Sequence, residues 1–194
     1  MTALVALGRR EPVITAFTTA HVVTLTAVGV ALDRRFVWIY FPLMLASIAA
    51  VVIIDRRAGP MPRSVLWALS IWAMAHLAGG LLGDPSGEAD LLYNWWLVDG
   101  VLRFDQVVHG YGIAVATLAI ASVARSTPIR TGFVWGQLIG AGNEAVENVF
   151  AALVEGSNVG DGVNTLWDLA FHLIGGVAAV VIMRRWVCRG ATGG

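Results

Sequence analysis

The chain has 194 residues, 57% of them hydrophobic and only 13% charged, with a formal net charge of zero and a mean hydropathy of +0.73. That is the composition of a polytopic membrane protein rather than of a soluble domain, and without a basic excess it offers no footprint for nucleic acid. The single cysteine, Cys188, rules out an intramolecular disulfide and any CxxC zinc or redox site.

A helix needs about 20 apolar residues to cross a bilayer. Six stretches have that character: 12–32, 36–54, 64–83, 105–124, 131–154 and 165–183. Arg9 and Arg10 precede the first of them, which lacks a short apolar core followed by a cleavage site. It is therefore expected to stay as the first membrane helix. Short connectors rich in Pro, Gly, Asn and Arg separate most of the others. The long connector, 84–104, contains the run LLYNWWLVDGVLRF. Its aromatic and aliphatic residues predict a segment lying on the outer membrane surface, an interfacial loop helix or a lid over a site on that side.

The arginines set the orientation. With the N-terminus inside, ten of the thirteen (Arg9, Arg10, Arg56, Arg57, Arg63, Arg125, Arg130, Arg184, Arg185 and Arg189) fall on the inner side. Arg34, Arg35 and Arg103 fall outside. The positive-inside rule then predicts cytoplasmic termini. Trp38, Trp67, Trp135, Trp167 and Trp186 lie near helix ends, where an interfacial aromatic belt belongs. The expected fold is all-α, one membrane domain over 1–194 with six spans. Three helices occupy 1–83, an extracytoplasmic interfacial segment occupies 84–104, and three helices in 105–194 form a polar core.

That core carries the chemistry. Asp105-x3-His109-x2-Gly112 and Asp168-x3-His172-x2-Gly175 repeat one polar word on the fourth and sixth stretches. Glu144 and Glu147 lie between them on the fifth. Residues three or four apart share a helical face. The fourth and sixth helices run the same way, so at 1.5 Å per residue both histidines enter about 6 to 10 Å below the outer boundary. The fifth runs back, placing Glu147 about 12 Å and Glu144 about 16 Å deep by the same rise. All six groups can share one layer of the outer half. His76 is a further candidate for it and His21 a weaker one. Gly136-x3-Gly140, with Gly112, Gly175 and Gly176, predicts close approach of these three helices.

Polar contacts between membrane helices contribute about 0.6 to 2 kcal/mol each, whereas a charged carboxylate at mid-membrane costs roughly 2.5 to 3.5 kcal/mol on insertion scales. Six such groups exceed what helix adhesion needs. Carboxylate and imidazole donors suit Zn, Mn or Fe better than a soft metal, and an Asp beside a His can also orient the imidazole as a general base. Asp105, His109, Glu144, Glu147, Asp168 and His172 are therefore the candidate catalytic residues. His109, Glu144, Glu147, Asp168 and His172 are the candidate ligands for a divalent ion. The spacing matches neither HExxH nor the Glu-x-x-His word of di-iron bundles.

At these residues the chain resembles two bacterial inner-membrane families, the VanZ-like and the YjdF-like. FDQVVHGYG is similar to the Asp-Lys-x-x-His-Phe segment of both, GNEAVENVF to their glutamate-bearing helix, and GDGVNTLWDLAFHLIGG to the YjdF-like ending. The similarity covers about 103–179 and implies Asp105, His109, Glu144, Glu147, Asp161, Asp168 and Gly175 as family positions. His172 stands where those families usually carry Asn, which either breaks the shared chemistry or adds a ligand. The resemblance implies a multi-pass protein of the bacterial cytoplasmic membrane. The resulting expectation is an envelope protein whose outward pocket binds a divalent metal or a lipid-linked polar headgroup, with hydrolysis as one use. The alternatives are a proton- or cation-coupled transporter and a non-catalytic scaffold or partner subunit. The inner halves of the fourth and sixth helices, IAVATLAIASVA and GVAAVVIM, hold few polar groups, which argues against a through path.

Overall fold

A computed structural model describes residues 3–87, 90–153 and 162–191. Among them are seven α-helices, a single 3-10 turn and one two-stranded hairpin. Asp161, one of the positions implied by the family resemblance, lies outside the described residues. The chain divides into two compact units, Met1–Val108 and His109–Gly194, with the boundary inside one helix.

The first unit holds α1 (Ala3–Arg10), α2 (Pro12–Ala31), α3 (Val37–Ala58), α4 (Arg63–Leu81) and the start of α5 (Phe104–Val123). Pro12 opens α2 at the position where a missing N–H costs nothing. Its core gathers Val22, Val37, Met44, Ala73, Leu77 and Leu81 from α2, α3 and α4. One end of the unit is closed by charge. Arg10 donates to both carboxylate oxygens of Asp55 at 3.1 and 2.7 Å. The Met61 N–H adds a 2.8 Å bond to the same carboxylate, and Arg63 lies 3.3 Å from Glu11. Together these bonds tie α1 to the ends of α3 and α4. The short helix α1 has no counterpart among the six expected stretches.

Among its described residues the 84–104 connector forms no α-helix before Phe104. After a 3-10 turn at Leu92–Asn94 it forms an antiparallel hairpin, β1 (Trp96–Val98) with β2 (Leu102–Arg103). Gly100 takes the positive φ of 66° that the reversal needs, and Arg103 stacks over the Trp96 ring at 4.4 Å. Tyr93 holds the connector down, its hydroxyl 2.5 Å from His76 Nδ1 and donating to the His76 carbonyl at 3.0 Å. Gly79 makes this possible, because a β-carbon there would occupy the Tyr93 ring. His76 is thus part of a cluster with Trp72, Tyr40 and Tyr93, while His21 packs edge-on against Phe17 at 5.0 Å.

The second unit contains the rest of α5, α6 (Pro128–Leu153) and α7 (Gly162–Ala191). Among the described residues, five helices are long and apolar enough to cross a membrane: Pro12–Ala31, Val37–Ala58, Arg63–Leu81, Phe104–Val123 and Gly162–Arg185. The sixth expected span coincides with α6, which at 26 residues is long enough but is not among them. The reason is visible in its two faces. Gly132, Gly136, Gly140 and Glu144 recur every fourth residue and are buried, whereas Val134, Trp135, Leu138, Ile139, Val146 and Val149 point away from the protein. A polar inner face lowers the average of a helix whose outer face is apolar.

Candidate metal centre

The glycines of α6 bring backbones together. A β-carbon on Gly132 would lie 2.8 Å from the Ala121 β-carbon, and one on Gly136 would collide with the Thr117 hydroxyl of α5. On the other side, Gly175 of α7 rests directly on the Gly110 carbonyl of α5. Such close approach of small residues is how membrane helices gain packing without a hydrophobic driving force. It also sets the depth at which the next polar residue on each helix stands. One turn beyond Gly140 comes Glu144; Gly110 follows His109; Gly175 follows His172 by three.

Three side chains therefore converge. His109 Nδ1 lies 2.9 Å from His172 Nε2 and 3.2 Å from Glu144 Oε1, and His172 Nε2 lies 3.6 Å from the same oxygen. The imidazole rings stack with centroids 5.0 Å apart and planes 20° from parallel. Their side chains retain 8%, 3% and 5% of their exposure for His109, His172 and Glu144, so water does not compensate the carboxylate. Two occupants satisfy such atoms, a proton or a cation. A proton bridges two atoms, as between His109 Nδ1 and His172 Nε2, whereas a cation can be shared by three, and here three donor atoms lie within 3.6 Å of one another. The circle through the three atoms has a radius of about 1.9 Å, just inside the roughly 2.0 to 2.2 Å of zinc–nitrogen and zinc–oxygen bonds.

The surroundings orient these donors. His109 directs Nδ1 to the triad and Nε2 toward Glu147, whose Oε1 is 3.9 Å away. Asn143, one turn back on α6, donates to that same Glu147 oxygen at 2.6 Å. A carboxylate behind a ligating imidazole fixes its tautomer and raises its basicity. Gln137 donates to the His172 carbonyl at 3.1 Å, and Gly140 leaves room for the His172 ring, since a β-carbon there would lie 2.6 Å from Nδ1. Asn148 donates to the Glu144 carbonyl one turn back on α6 at 2.7 Å and reaches α7 through the Thr165 hydroxyl at 3.3 Å.

The other sequence candidates take different positions. Asp168 is fully buried, with an oxygen within 4.8 Å of a His109 ring nitrogen, and it accepts a 2.6 Å bond from Asn164. Asp105 stands in the first turn of α5, one turn before His109 and within the first unit. Asn143 and Asn164 escaped the sequence reading. Each stands four residues before the carboxylate it serves, the same spacing that singled out the Asp-His words.

The family described as "Predicted membrane protein (DUF2238)" matches residues 13–189, nearly the whole chain. The chain belongs to this family. It is accordingly a multi-pass membrane protein, and the lipid bilayer is its surroundings. No curated protein and no solved structure matches it. The family's description gives a location and no reaction, so the chemistry rests on the donor set itself.

Proposed function

We propose that this protein binds one first-row divalent ion, Zn, Mn or Fe, through His109, Glu144 and His172, and uses it on the polar headgroup of a lipid-linked envelope substrate, hydrolysis being the reaction class. The observation that carries the reading is the triangle of donor atoms, 2.9, 3.2 and 3.6 Å on its sides. Two imidazoles and one carboxylate form the donor set of catalytic zinc sites and of facial iron sites, both of which leave a position for substrate. In this reading Glu147 orients His109, and its 30% exposure marks the side from which a ligand reaches the centre. Asp105 and Asp168 supply acid–base or positioning groups one turn from the histidines. Similarity to the YjdF-like and VanZ-like families supports a bacterial cytoplasmic membrane and an envelope role. The transporter alternative gains no support, because the inner half of α5 buries apolar residues such as Val115 and Ala119 with Thr117 against a glycine.

Metal analysis of protein purified in detergent tests the proposal. About one Zn, Mn or Fe per chain is expected, lost on dialysis against a chelator and regained on adding back the ion. Protein that is folded, metal-free and unresponsive to all three ions sinks it.

In the same proposal all of α6 crosses the bilayer, giving six spans with both termini cytoplasmic and the hairpin outside. The apolar outer face of α6 and the arginine distribution support this topology. In a Cys188→Ala background, an impermeant thiol reagent added to intact cells is expected to label Ser86→Cys and spare Ser126→Cys. The reverse labelling would invert the topology and remove the outward-facing site.

A further inference from the structure

The first unit contains a cavity of about 330 Å³ bounded by α1, α2, α3 and α4. Its walls are Leu7, Val22, Met44, Ile48, Leu69 and Ala73, among other apolar side chains. Three of the five hydroxyl residues along it, Thr18, Ser47 and Ser70, are bonded within the protein. Thr18 bonds to Ser70 at 2.6 Å and to the Ile14 carbonyl at 2.8 Å, and Ser47 bonds to the Leu43 carbonyl at 2.9 Å. A hydrated ligand would find few polar groups to bind along the walls, so the interior suits a hydrocarbon chain.

The cavity has a polar end and a defined length. Along α2 its lining runs from Glu11 to Val23, about 18 Å at 1.5 Å per residue. One leaflet of a bilayer core is about 15 Å thick. At the Glu11 end stand five arginines, Arg9 and Arg10 of α1, Arg56 and Arg57 of α3, and Arg63 of α4. Among the described residues of the unit, two carboxylates share that end, Glu11 and Asp55. Arg10 is bound to Asp55 and Arg63 lies against Glu11, so Arg9, Arg56 and Arg57 leave the end with three positive charges in excess. A slot of leaflet length whose Glu11 end lies beside helix ends with an excess of arginine suits an amphiphile with an anionic head and an acyl tail.

We propose that this cavity is a binding site for an anionic phospholipid, one acyl chain lying between α2, α3 and α4 and the phosphate held at the Arg9, Arg56 and Arg57 rim. The site is separate from the metal centre and does not depend on it. Basic pockets between membrane helices recognise anionic lipids by this combination of charge and shape. A lipid seated there would fill the space between α2, α3 and α4.

The test uses the full chain, delipidated in mild detergent, with thermal unfolding followed by tryptophan fluorescence. Adding phosphatidylglycerol to a large excess over its dissociation constant is expected to raise the midpoint by about 5 °C or more. Phosphatidylcholine with the same chains and glycerol phosphate without chains are each expected to raise it by less than about a third of that shift. Ser47→Phe and Thr19→Phe, which fill the cavity, should each abolish the phosphatidylglycerol shift while keeping the starting midpoint. The triple change Arg9→Gln/Arg56→Gln/Arg57→Gln should reduce it at least tenfold in apparent affinity. Equal shifts with both phospholipids would overturn the proposal. So would a shift that survives both cavity-filling changes, because binding would then belong to the charged surface alone.

Discussion

His172→Ala is expected to abolish stoichiometric metal binding, taking the content of purified protein from about one ion per chain to below a tenth. The ring supplies one of three donors, and His109 Nδ1 with Glu144 Oε1, 3.2 Å apart, cannot close the centre alone. Glu144→Gln should act almost as strongly, because it removes the one charge in the triad that neutralises a cation. Glu147→Gln touches only the far side of His109, so the ion should still bind at high concentration, with affinity reduced about 10- to 100-fold. The pattern separates a metal centre from a polar helix clasp. Saturating metal at 100 times its dissociation constant adds about 2.7 kcal/mol, a rise of about 5 to 10 °C in midpoint for a chain of this size. That gain should appear in the unaltered protein and be absent from His172→Ala and Glu144→Gln. With a chelator present, all three should unfold within a few degrees of one another. If the variants instead lose stability equally with and without chelator, and metal content does not change, the side chains hold helices together and the metal reading fails.

Much of this arrangement is legible in the sequence because membrane helices announce themselves by length and apolarity. The starts of α2, α3, α4 and α5 fall within about one residue of those expected, well inside the usual boundary error of two to four residues. Two things were not legible from hydropathy. The 84–104 connector reads as interfacial because its aromatic residues are amphipathic, yet Asp99-Gly100 is also a turn dipeptide, and that local signal decides the backbone. The helix α6 reads as a span by eye and falls short by average, because averaging merges an apolar face with a buried row of glycines and Glu144. At the site, spacing correctly groups residues along one helix but does not say which edge of an imidazole faces which neighbour. His109 uses both ring nitrogens, one toward His172 and Glu144 and the other toward Glu147. That choice depends on the depth at which α5, α6 and α7 lock together, and glycine contacts between helices set the depth.

Those contacts give the second large effect. Gly175→Ala is expected to disrupt the second unit although it adds a single methyl group. The new β-carbon would run into the Gly110 carbonyl oxygen and lie 2.8 Å from its carbon and 3.2 Å from the Ala114 nitrogen. All three are backbone atoms and cannot rotate away, so α5 and α7 must separate. Overpacking of this kind costs about 1 to 3 kcal/mol, occasionally more. The same displacement pulls His109 away from His172, which are tied to the two helices that part. Gly140→Ala makes a contrasting collision, 2.6 Å from the His172 ring nitrogen. A side chain can turn, so this change should cost little stability while weakening metal binding by an order of magnitude or more. Gly142→Ala is the control. Nothing lies within 4 Å of its β-carbon position, and alanine in a helix is favoured over glycine by about 1 kcal/mol. Thermal midpoints and metal content of the three variants should therefore rank differently. Gly175→Ala loses both, Gly140→Ala loses metal alone, and Gly142→Ala keeps both with a midpoint equal to or above the parent's. If Gly175→Ala behaves like Gly142→Ala in both measurements, α5 and α7 do not meet through these glycines. The convergence of His109 and His172 would then lose the packing that places it.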